Sequence, residues 1–206
     1  MTSKKFSDII KYAVLSGILT AGSFYNLPRA DAEEIKKEFY STRSELVKKI
    51  NNDWIYSLIL KQMSQKENYP RYISPSLVRA IVKVESNDNI HLMSSAGARG
   101  LLQIMPCVWR EVNGNLNGYE KVFSPETNIK TGLDYFQWLD NALKIYNKKW
   151  NKLSEKEKTK HFLASYNGGI GRYLKNSFDL SKMPKETQFY VPKVLKEKEK
   201  LEDLIG

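Results

Sequence analysis

The most distinctive segment of the sequence is residues 94–106, which read SSAGARGLLQIMP. Its glycines and alanines let the backbone come close to a ligand or to a neighbouring helix. Gln103 carries a polar amide among apolar neighbours, so we expect it to be buried and to have a hydrogen-bond partner. A glycine-rich turn that leads into a helix can bind phosphate, but this segment lacks the Gly-Lys-Ser/Thr ending and a preceding strand. We therefore do not expect a phosphate-binding loop.

A helix is predicted just before this segment. Ser74 is a suitable N-cap, and Pro75 occupies the first helical position. An apolar face follows, and Glu85 falls on it, four residues after Ile81 and three after Val82. Burial and the negative end of the helix dipole both disfavour the carboxylate anion, so we expect a pKa raised toward about 6 or above, as a proton donor near neutral pH requires. On the local pattern alone, the alternative is a glutamate at a helix end that bends out to water.

Most of the remaining sequence also predicts helices. One apolar stripe comprises Trp54, Ile55, Leu58, Ile59 and Met63. Ser124, followed by a proline, repeats the earlier start signal, and Ser154 with Glu157 forms a capping box. The Gly-Gly pair at residues 168–169 ends the helix that follows. Because no run of β-branched residues alternates with period two, we expect a mostly α fold with one short hairpin or irregular lobe around residues 90–122.

Composition limits the class of protein. The chain has 206 residues, 41% of them hydrophobic, and a formal net charge of +10. It is too apolar to be disordered and long enough for one core, so we expect one domain with a short appendage. The lysines of residues 147–160 alternate with Glu155 and Glu157, as on a solvated helix face, so we expect no nucleic-acid partner. The single cysteine, Cys107, excludes an intrachain disulfide and a Cys-rich zinc site, and we expect it to fill the core.

The first 32 residues predict an export signal. Residues 1–11 carry three lysines against one aspartate, and residues 12–23 are uncharged and mostly apolar. Ala30 and Ala32 fit the −3 and −1 positions of a cleavage site. The apolar run is too short to span a bilayer as a helix, which needs about 20 apolar residues. We therefore expect a signal peptide over residues 1–32; an uncleaved membrane anchor and a native N-terminal helix are the alternatives.

Five sequence blocks occur in an order that resembles the catalytic domain of the family 1 lytic transglycosylases, the soluble-lytic-transglycosylase or lysozyme-like domain. The blocks are Glu85-Ser86, residues 95–106 (SAGARGLLQIMP), Asn128-Ile129 with Gly132, residues 164–169 (ASYNGG) and Tyr190-Val191-Pro192. The similarity runs from about residue 53 to residue 198. Two positions depart from the family pattern: Leu102 stands where Met is usual, and Gly168 stands where Ala is commoner.

The resemblance implies a domain organisation. Residues 1–32 are the predicted signal peptide, 33–52 an N-terminal helix or linker, 53–200 the lytic transglycosylase catalytic domain, and 201–206 a tail. The fold is expected to be the lysozyme-like helical domain with a substrate cleft.

The resemblance also implies roles for individual residues. Glu85 matches the family's sole catalytic acid/base. Tyr166 and Asn167 match the motif that positions this acid and the substrate. Tyr190 matches a tyrosine whose hydroxyl points at the catalytic carboxyl.

Three further residues are expected along the substrate. The amide of Gln103 would line the cleft and contact sugar, and Ser94 with Ser95 fits the polar lip beside it. Five aromatic residues are candidates for stacking on sugars, although aromatics at helical spacing are more often core, so we expect one platform at most. They are Trp109, Tyr119, Tyr135, Trp138 and Trp150.

The activity implied by the resemblance is cleavage of the β-1,4 bond between N-acetylmuramic acid and N-acetylglucosamine in peptidoglycan. The muramic acid closes a 1,6-anhydro ring, and the reaction requires no metal or other cofactor. Small exported enzymes of this type open the wall for a secretion, pilus or conjugation apparatus. We accordingly expect a periplasmic monomer whose partners are glycan strands and such an apparatus.

Two alternatives remain open from the sequence. A lysozyme-like hydrolase on the same fold would need a second carboxylate to activate water, and Asp88 is the candidate, although between two asparagines it is more typical of a turn. A non-catalytic peptidoglycan-binding assembly factor is the other alternative. No metal site is expected, because His91 and His161 lie 70 residues apart and lack the spacing of metal ligands.

Overall fold

The computed structural model describes residues 53–65 and 69–205, together with Lys37 and Ser41, both of which are helical. The predicted signal peptide over residues 1–32 lies outside the described residues. So does the predicted N-terminal helix or linker over residues 33–52, apart from those two positions. Within the described residues, no helix has the length and apolar character needed to cross a bilayer.

The described chain folds into α-helices and short 3₁₀ helices. The α-helices are α1 (Trp54–Ser64), α2 (Pro75–Ser86), α3 (Pro106–Asn113), α4 (Pro125–Tyr146), α5 (Glu155–Gly168), α6 (Ile170–Lys175) and α7 (Lys185–Ile205), and the 3₁₀ helices are Tyr119–Phe123, Trp150–Lys152 and Leu180–Lys182. Across residues 53–65 and 69–205 the only β pairings are two isolated bridges, Met93 with Arg99 and Arg99 with Ile104. The prediction of a mostly α fold is confirmed. Helix α7 continues into the residues expected as a tail, and where the domain ends stays a prediction.

The start signals in the sequence coincide with helix starts. The Ser74 hydroxyl accepts a hydrogen bond from the Leu77 amide at the start of α2. Ser154 and Glu157 form the predicted capping box of α5. The Gly-Gly pair does more than end α5: Gly169, with φ of +81°, turns the chain directly into α6.

The core lies where α2 packs against α1 and α7 and where α4 and α5 close over it. One residue of the apolar stripe is exposed, and the prediction that Cys107 fills the core is wrong. Trp54 is 53% exposed, because it lies at the edge of the α1 face formed by Ile55, Leu58 and Ile59. Cys107 is exposed, because it is two residues from the buried Trp109 and faces the opposite side of α3.

An irregular lobe without a hairpin is found at residues 87–105, between α2 and α3. The rest of the stretch predicted to form it, up to residue 122, contains α3 and most of the 3₁₀ helix Tyr119–Phe123.

Asn128 of α4, only 1% exposed, holds the lobe in place. Its Oδ1 accepts from the Leu102 amide at 2.8 Å, and its Nδ2 donates to the carbonyls of Arg99 at 3.0 Å and Val122 at 2.8 Å. Because the lobe has no helix or sheet of its own, these bonds satisfy buried backbone groups that would otherwise lack partners.

Two glycines allow this close approach. Gly100 has φ of +72°, and a Cβ there would lie 2.3 Å from Asn128 Nδ2. A Cβ at Gly132 of α4 would lie 2.2 Å from Leu102 Cδ1. The interpretation that small residues bring this segment against a neighbouring helix is confirmed.

Removing the Asn128 amide should destabilise the protein. Asn128→Ala leaves the Leu102 amide and the Arg99 carbonyl of the lobe, and the Val122 carbonyl of the 3₁₀ helix that follows α3, without their partner. We therefore expect the free energy of unfolding to fall by about 3 kcal/mol, measured by urea denaturation. Asn141→Ala, on the exposed side of the same helix, is the control and should change it by less than about 0.5 kcal/mol. Equal effects of the two substitutions would contradict the role of Asn128.

Candidate active site

A cleft of about 350 Å³ lies between the irregular lobe and the ends of α2, α5 and α7. Five of the seven predicted site residues line it: Glu85, Ser94, Gln103, Tyr166 and Asn167. The sixth, Tyr190, is buried beside Glu85, and the seventh, Ser95, is exposed; neither is part of the lining. A separate cavity of about 310 Å³, between the start of α5 and the second half of α7, contains none of the seven.

Glu85 occupies the last turn of α2 and is half-buried. Its pKa is raised from the ordinary value of 4.5 to about 7, and burial is the main cause. The neighbouring carboxylate of Glu186 adds to the rise, whereas the Tyr190 hydroxyl and the Lys193 ammonium oppose it. The rise expected from the sequence is confirmed, and it makes this carboxyl available in both protonation states near neutral pH.

One face of α7 supplies all three of these neighbours. Glu186, Tyr190 and Lys193 follow the i, i+4, i+7 spacing of one helical face, and α7 packs against α2. Reasoning from the sequence selected only Tyr190 of the three. The same spacing around Tyr190 was the signal that would have found Glu186 and Lys193.

Two tyrosines lie next to Glu85, and both remain protonated: Tyr190 is buried, and Tyr166 is half-buried. Burial and the Glu85 charge raise the pKa of Tyr166 and of Tyr190 well above 10. The Tyr166 hydroxyl donates to the Leu102 carbonyl at 2.5 Å, and its ring packs edge-on against Phe136.

The Tyr190 hydroxyl has a different environment. It is buried and has no hydrogen bond of good geometry to any described residue. It nevertheless lies close enough to Glu85 to lower the pKa of that carboxyl as a donor. The two facts are compatible, because catalytic hydrogen bonds are commonly long in a free enzyme and shorten around the reacting substrate. Tyr190 is therefore placed to stabilise the anionic form of Glu85.

The amides of Gln103 and Asn167 give the cleft complementary polar groups. Gln103, with φ of +45°, donates through Nε2 to the carbonyls of Leu92 at 3.1 Å and Gly100 at 2.9 Å. Asn167 accepts through Oδ1 from the Thr187 hydroxyl at 2.7 Å. These bonds leave an amide oxygen of Gln103 and an amide N–H₂ of Asn167 for a bound molecule, which suits hydroxyl and acetamido groups.

Ser94 contributes to the shape of the lobe as well as to the cleft wall. Its hydroxyl accepts from the Ala98 amide at 3.0 Å, which closes the turn that carries Ala96 into the cleft lining. The expected position beside the cleft is thus found for Ser94 and not for the exposed Ser95.

Asp88 does not reach the cleft lining. Its carboxylate accepts from Arg79 at 2.6 Å and from Lys83 at 3.0 Å, and Arg79 also pairs with Asp53 at 2.6 Å. These cations hold the pKa of Asp88 below its usual range. With φ of +72° directly after the αL residue Asn87, Asp88 forms the turn that ends α2, so the interpretation of Asp88 as a turn-former is confirmed.

Within residues 53–65 and 69–205, no three His, Cys, Asp or Glu side chains lie close enough together to hold a metal ion. The Nδ1 of His161 lies 2.8 Å from the Tyr173 hydroxyl and its ring packs against Trp150. His91 is exposed and its ring lies 6.2 Å from that of Phe123.

Substitutions on α7 should move the pKa of Glu85 in opposite directions. Glu186→Gln removes a negative neighbour and should lower this pKa from about 7, whereas Lys193→Gln removes a positive neighbour and should raise it. The pKa is measured by ¹³C NMR titration of the Glu85 carboxyl carbon. Glu199→Gln is the charge-matched control, because Glu199 lines the separate cavity, and it should leave the pKa unchanged. Shifts of the same sign in both variants would contradict the arrangement.

This chain is similar to known proteins that are named transglycosylases. The family model for the transglycosylase SLT domain matches residues 62–188. The membrane-bound lytic murein transglycosylase E of Buchnera aphidicola is 26% identical over 187 residues, which cover 84% of this chain and 78% of that protein. A transglycosylase of Enterobacteria phage PRD1 is 28% identical over 108 residues, covering 51% of this chain and 40% of that protein.

A solved structure agrees with the fold. The crystal structure of the 70 kDa soluble lytic transglycosylase SLT70 from Escherichia coli matches with a TM-score of 0.57 and 22% identity. The match covers 84% of this chain but only 34% of SLT70. The family model spans more than half of the chain, from α1 to the start of α7, and the cleft lies within that span. The chain therefore belongs to the transglycosylase SLT domain family.

Proposed function

We propose that this protein is a peptidoglycan lytic transglycosylase that cleaves the bond between N-acetylmuramic acid and N-acetylglucosamine and leaves a 1,6-anhydromuramic acid end. The observation that carries the proposal is the half-buried carboxyl of Glu85, with a pKa of about 7, in the wall of a cleft. All the residues that line this cleft lie within the part of the chain that matches the family model. A group with that pKa can donate a proton in one step and accept one in the next.

The first step uses the protonated form of Glu85. Its carboxyl donates a proton to the glycosidic oxygen, the bond to muramic acid C1 breaks, and positive charge develops at that carbon. The acetamido group on C2 of the same sugar stabilises this charge. Because this step needs the acid form, the rate of cleavage falls as pH rises above about 7.

The second step uses the anion that the first step leaves. Glu85 takes the proton from the C6 hydroxyl of the same muramic acid, whose oxygen bonds to C1 and closes the anhydro ring. Glu85 ends in its original protonated form, and no water is consumed. Because the nucleophile belongs to the substrate, its high effective concentration takes the place of the second carboxylate that ordinary glycosidases use.

The neighbouring side chains fit these two steps. Tyr190 and Lys193 stabilise the Glu85 anion between the steps, since both lower the pKa of that carboxyl. Gln103 and Asn167 offer an acceptor and a donor to the sugar hydroxyl and acetamido groups. Tyr166 fixes the lobe through its bond to Leu102, and Ser94 supplies the polar lip of the cleft.

A muramidase on the same fold is the second candidate, and one observation favours it. Glu186 is a second carboxylate in the cleft lining, and two carboxylates across a glycosidic bond are the usual equipment of a hydrolase. This candidate replaces Asp88 with Glu186 as the group that would activate water. A non-catalytic assembly factor would need neither carboxyl for its function.

The cellular setting follows from the same proposal. The substrate is the glycan strand of peptidoglycan, which lies outside the cytoplasmic membrane, so we place the protein in the periplasm as a monomer. The relative in Buchnera aphidicola is named as a membrane-bound murein enzyme. Local opening of the wall for a secretion, pilus or conjugation apparatus is the role that we propose for it there.

Replacing the acid should abolish cleavage and leave the fold intact. Glu85→Gln keeps the side-chain shape but cannot transfer the proton, so we expect release of soluble muropeptides from peptidoglycan to fall by roughly 100-fold or more. Thermal unfolding and co-sedimentation with peptidoglycan should match the unchanged protein. Activity within tenfold of the unchanged protein would rule out Glu85 as the acid.

The product separates the two candidate reactions. Mass spectrometry should find anhydro-muropeptides, which are lighter than the hydrolytic products by one water, about 18 Da, because ring closure consumes none. Glu186→Gln, assayed near pH 5.5 where Glu85 is protonated, should still give the anhydro product. Reducing ends, lost together with activity in Glu186→Gln, would instead identify a muramidase.

A further inference from the structure

Two aromatic residues on α4 lie close to the cleft without being part of its lining. Tyr135 and Trp138 lie one turn apart, and their rings stack with centroids 5.4 Å apart and an interplanar angle of 14°. Tyr135 is 9% exposed, whereas Trp138 is 37% exposed. Tyr135 covers one face of the indole, so a ligand that stacks on Trp138 would use the opposite face.

Tyr135 connects the pair to the cleft through two sets of neighbours, Tyr166 and the residues of α3. The ring of Tyr135 lies 6.1 Å from that of Tyr166, which lines the cleft. The Tyr135 hydroxyl is near Cys107 and Glu111 of α3, which contribute to raising its pKa to about 12. Val108 of the same helix lines the cleft, so Tyr135 has neighbours on two elements of the cleft wall, and Trp138 packs against Tyr135.

The other candidate aromatics do not offer such a surface. Trp109 and Trp150 are buried, and Tyr119 donates its hydroxyl to the carbonyls of Gly97 and Ile104. Those three are core residues, as aromatics at helical spacing usually are. Trp138 differs, because its ring packs against Tyr135 and is partly open to solvent.

We propose that Trp138, supported by Tyr135, forms a distal subsite on which an N-acetylhexosamine of a glycan strand stacks. The apolar C–H face of a pyranose ring matches an indole face, and a ring already held by a neighbour loses little conformational entropy on binding. Trp138 lies two ring-to-ring steps from Tyr166, so it contacts sugars beyond the bond that is cleaved. The proposed subsite rests on the proposed function, and it would make the protein bind longer glycan strands more tightly than short ones.

The test measures binding of chito-oligosaccharides to the full chain carrying Glu85→Gln, so that the probes are not consumed. Trp138→Ala in that background should weaken binding of the N-acetylglucosamine hexamer by roughly tenfold and leave binding of the dimer unchanged, measured by isothermal titration calorimetry. Trp138→Phe, which keeps an aromatic face, should retain part of the affinity. Trp54→Ala, a more exposed tryptophan on α1, should change neither.

Fluorescence gives a second readout that a purely structural role would not produce. Hexamer binding should shift tryptophan emission in the Glu85→Gln protein, and Trp138→Phe should remove that shift while Trp54→Phe keeps it. Unchanged hexamer affinity in Trp138→Ala, or an equal loss for the dimer and the hexamer, would overturn the subsite.

Failure of the subsite and failure of the proposed function give different results. If the unchanged chain releases anhydro-muropeptides but Trp138→Ala binds the hexamer as before, only the subsite is wrong. If hexamer binding depends on Trp138 but the unchanged chain cleaves nothing, the subsite stands and the catalytic proposal is wrong.

Discussion

The structure depends on how a segment without secondary structure is held against helices. Leu102 is the centre of that attachment, because both of its backbone polar groups are bound by side chains. Its N–H donates to Asn128 of α4, and its carbonyl accepts from Tyr166 of α5. Buried backbone groups need such partners, and Gly100 leaves the room that the Asn128 amide occupies. The lobe that carries Gln103 is thereby fixed to α4 and to α5, and α5 also supplies Tyr166 and Asn167 to the cleft lining.

The chemistry depends on a balance of charges around one carboxyl. Burial alone would favour the neutral acid so strongly that Glu85 would serve poorly as a base. Helix α7 supplies opposing contributions from one face: Tyr190 and Lys193 favour the anion, and Glu186 disfavours it. The result is a pKa of about 7, near the value at which one group can act as acid and then as base. A single helix packed on α2 therefore sets the protonation of the residue that α2 carries.

The sequence predicted features that depend on residues close together in the chain. It did not predict features that depend on contacts between helices far apart in the chain. The caps at Ser74 and Ser154 and the raised pKa of Glu85 follow from residues within one or two turns, and all three are found. Asp88 could be recognised as a turn residue, but its pairing with Arg79 depends on how α2 ends. The contribution of Glu186 could not be predicted from periodicity on α2, because it arises from a helix one hundred residues further along the chain. Cys107 was misplaced because α3 is short, and its one fully buried residue, Trp109, fixes which side faces inward.

Glu186 fits two different roles, a water-activating base in a hydrolase or an electrostatic neighbour of Glu85 in a transglycosylase. As a water-activating base it would have to lie across the sugar from Glu85 with room for a water molecule between them. As an electrostatic neighbour it needs only to remain an exposed anion near Glu85, and it already raises the pKa of that carboxyl in this position. The second role requires no water and no contact with the reacting carbon, and it operates before any substrate binds. The presence of two carboxylates in the cleft is therefore compatible with the transglycosylase as well as with the muramidase, since Glu186 raises the pKa of Glu85 without taking part in the reaction.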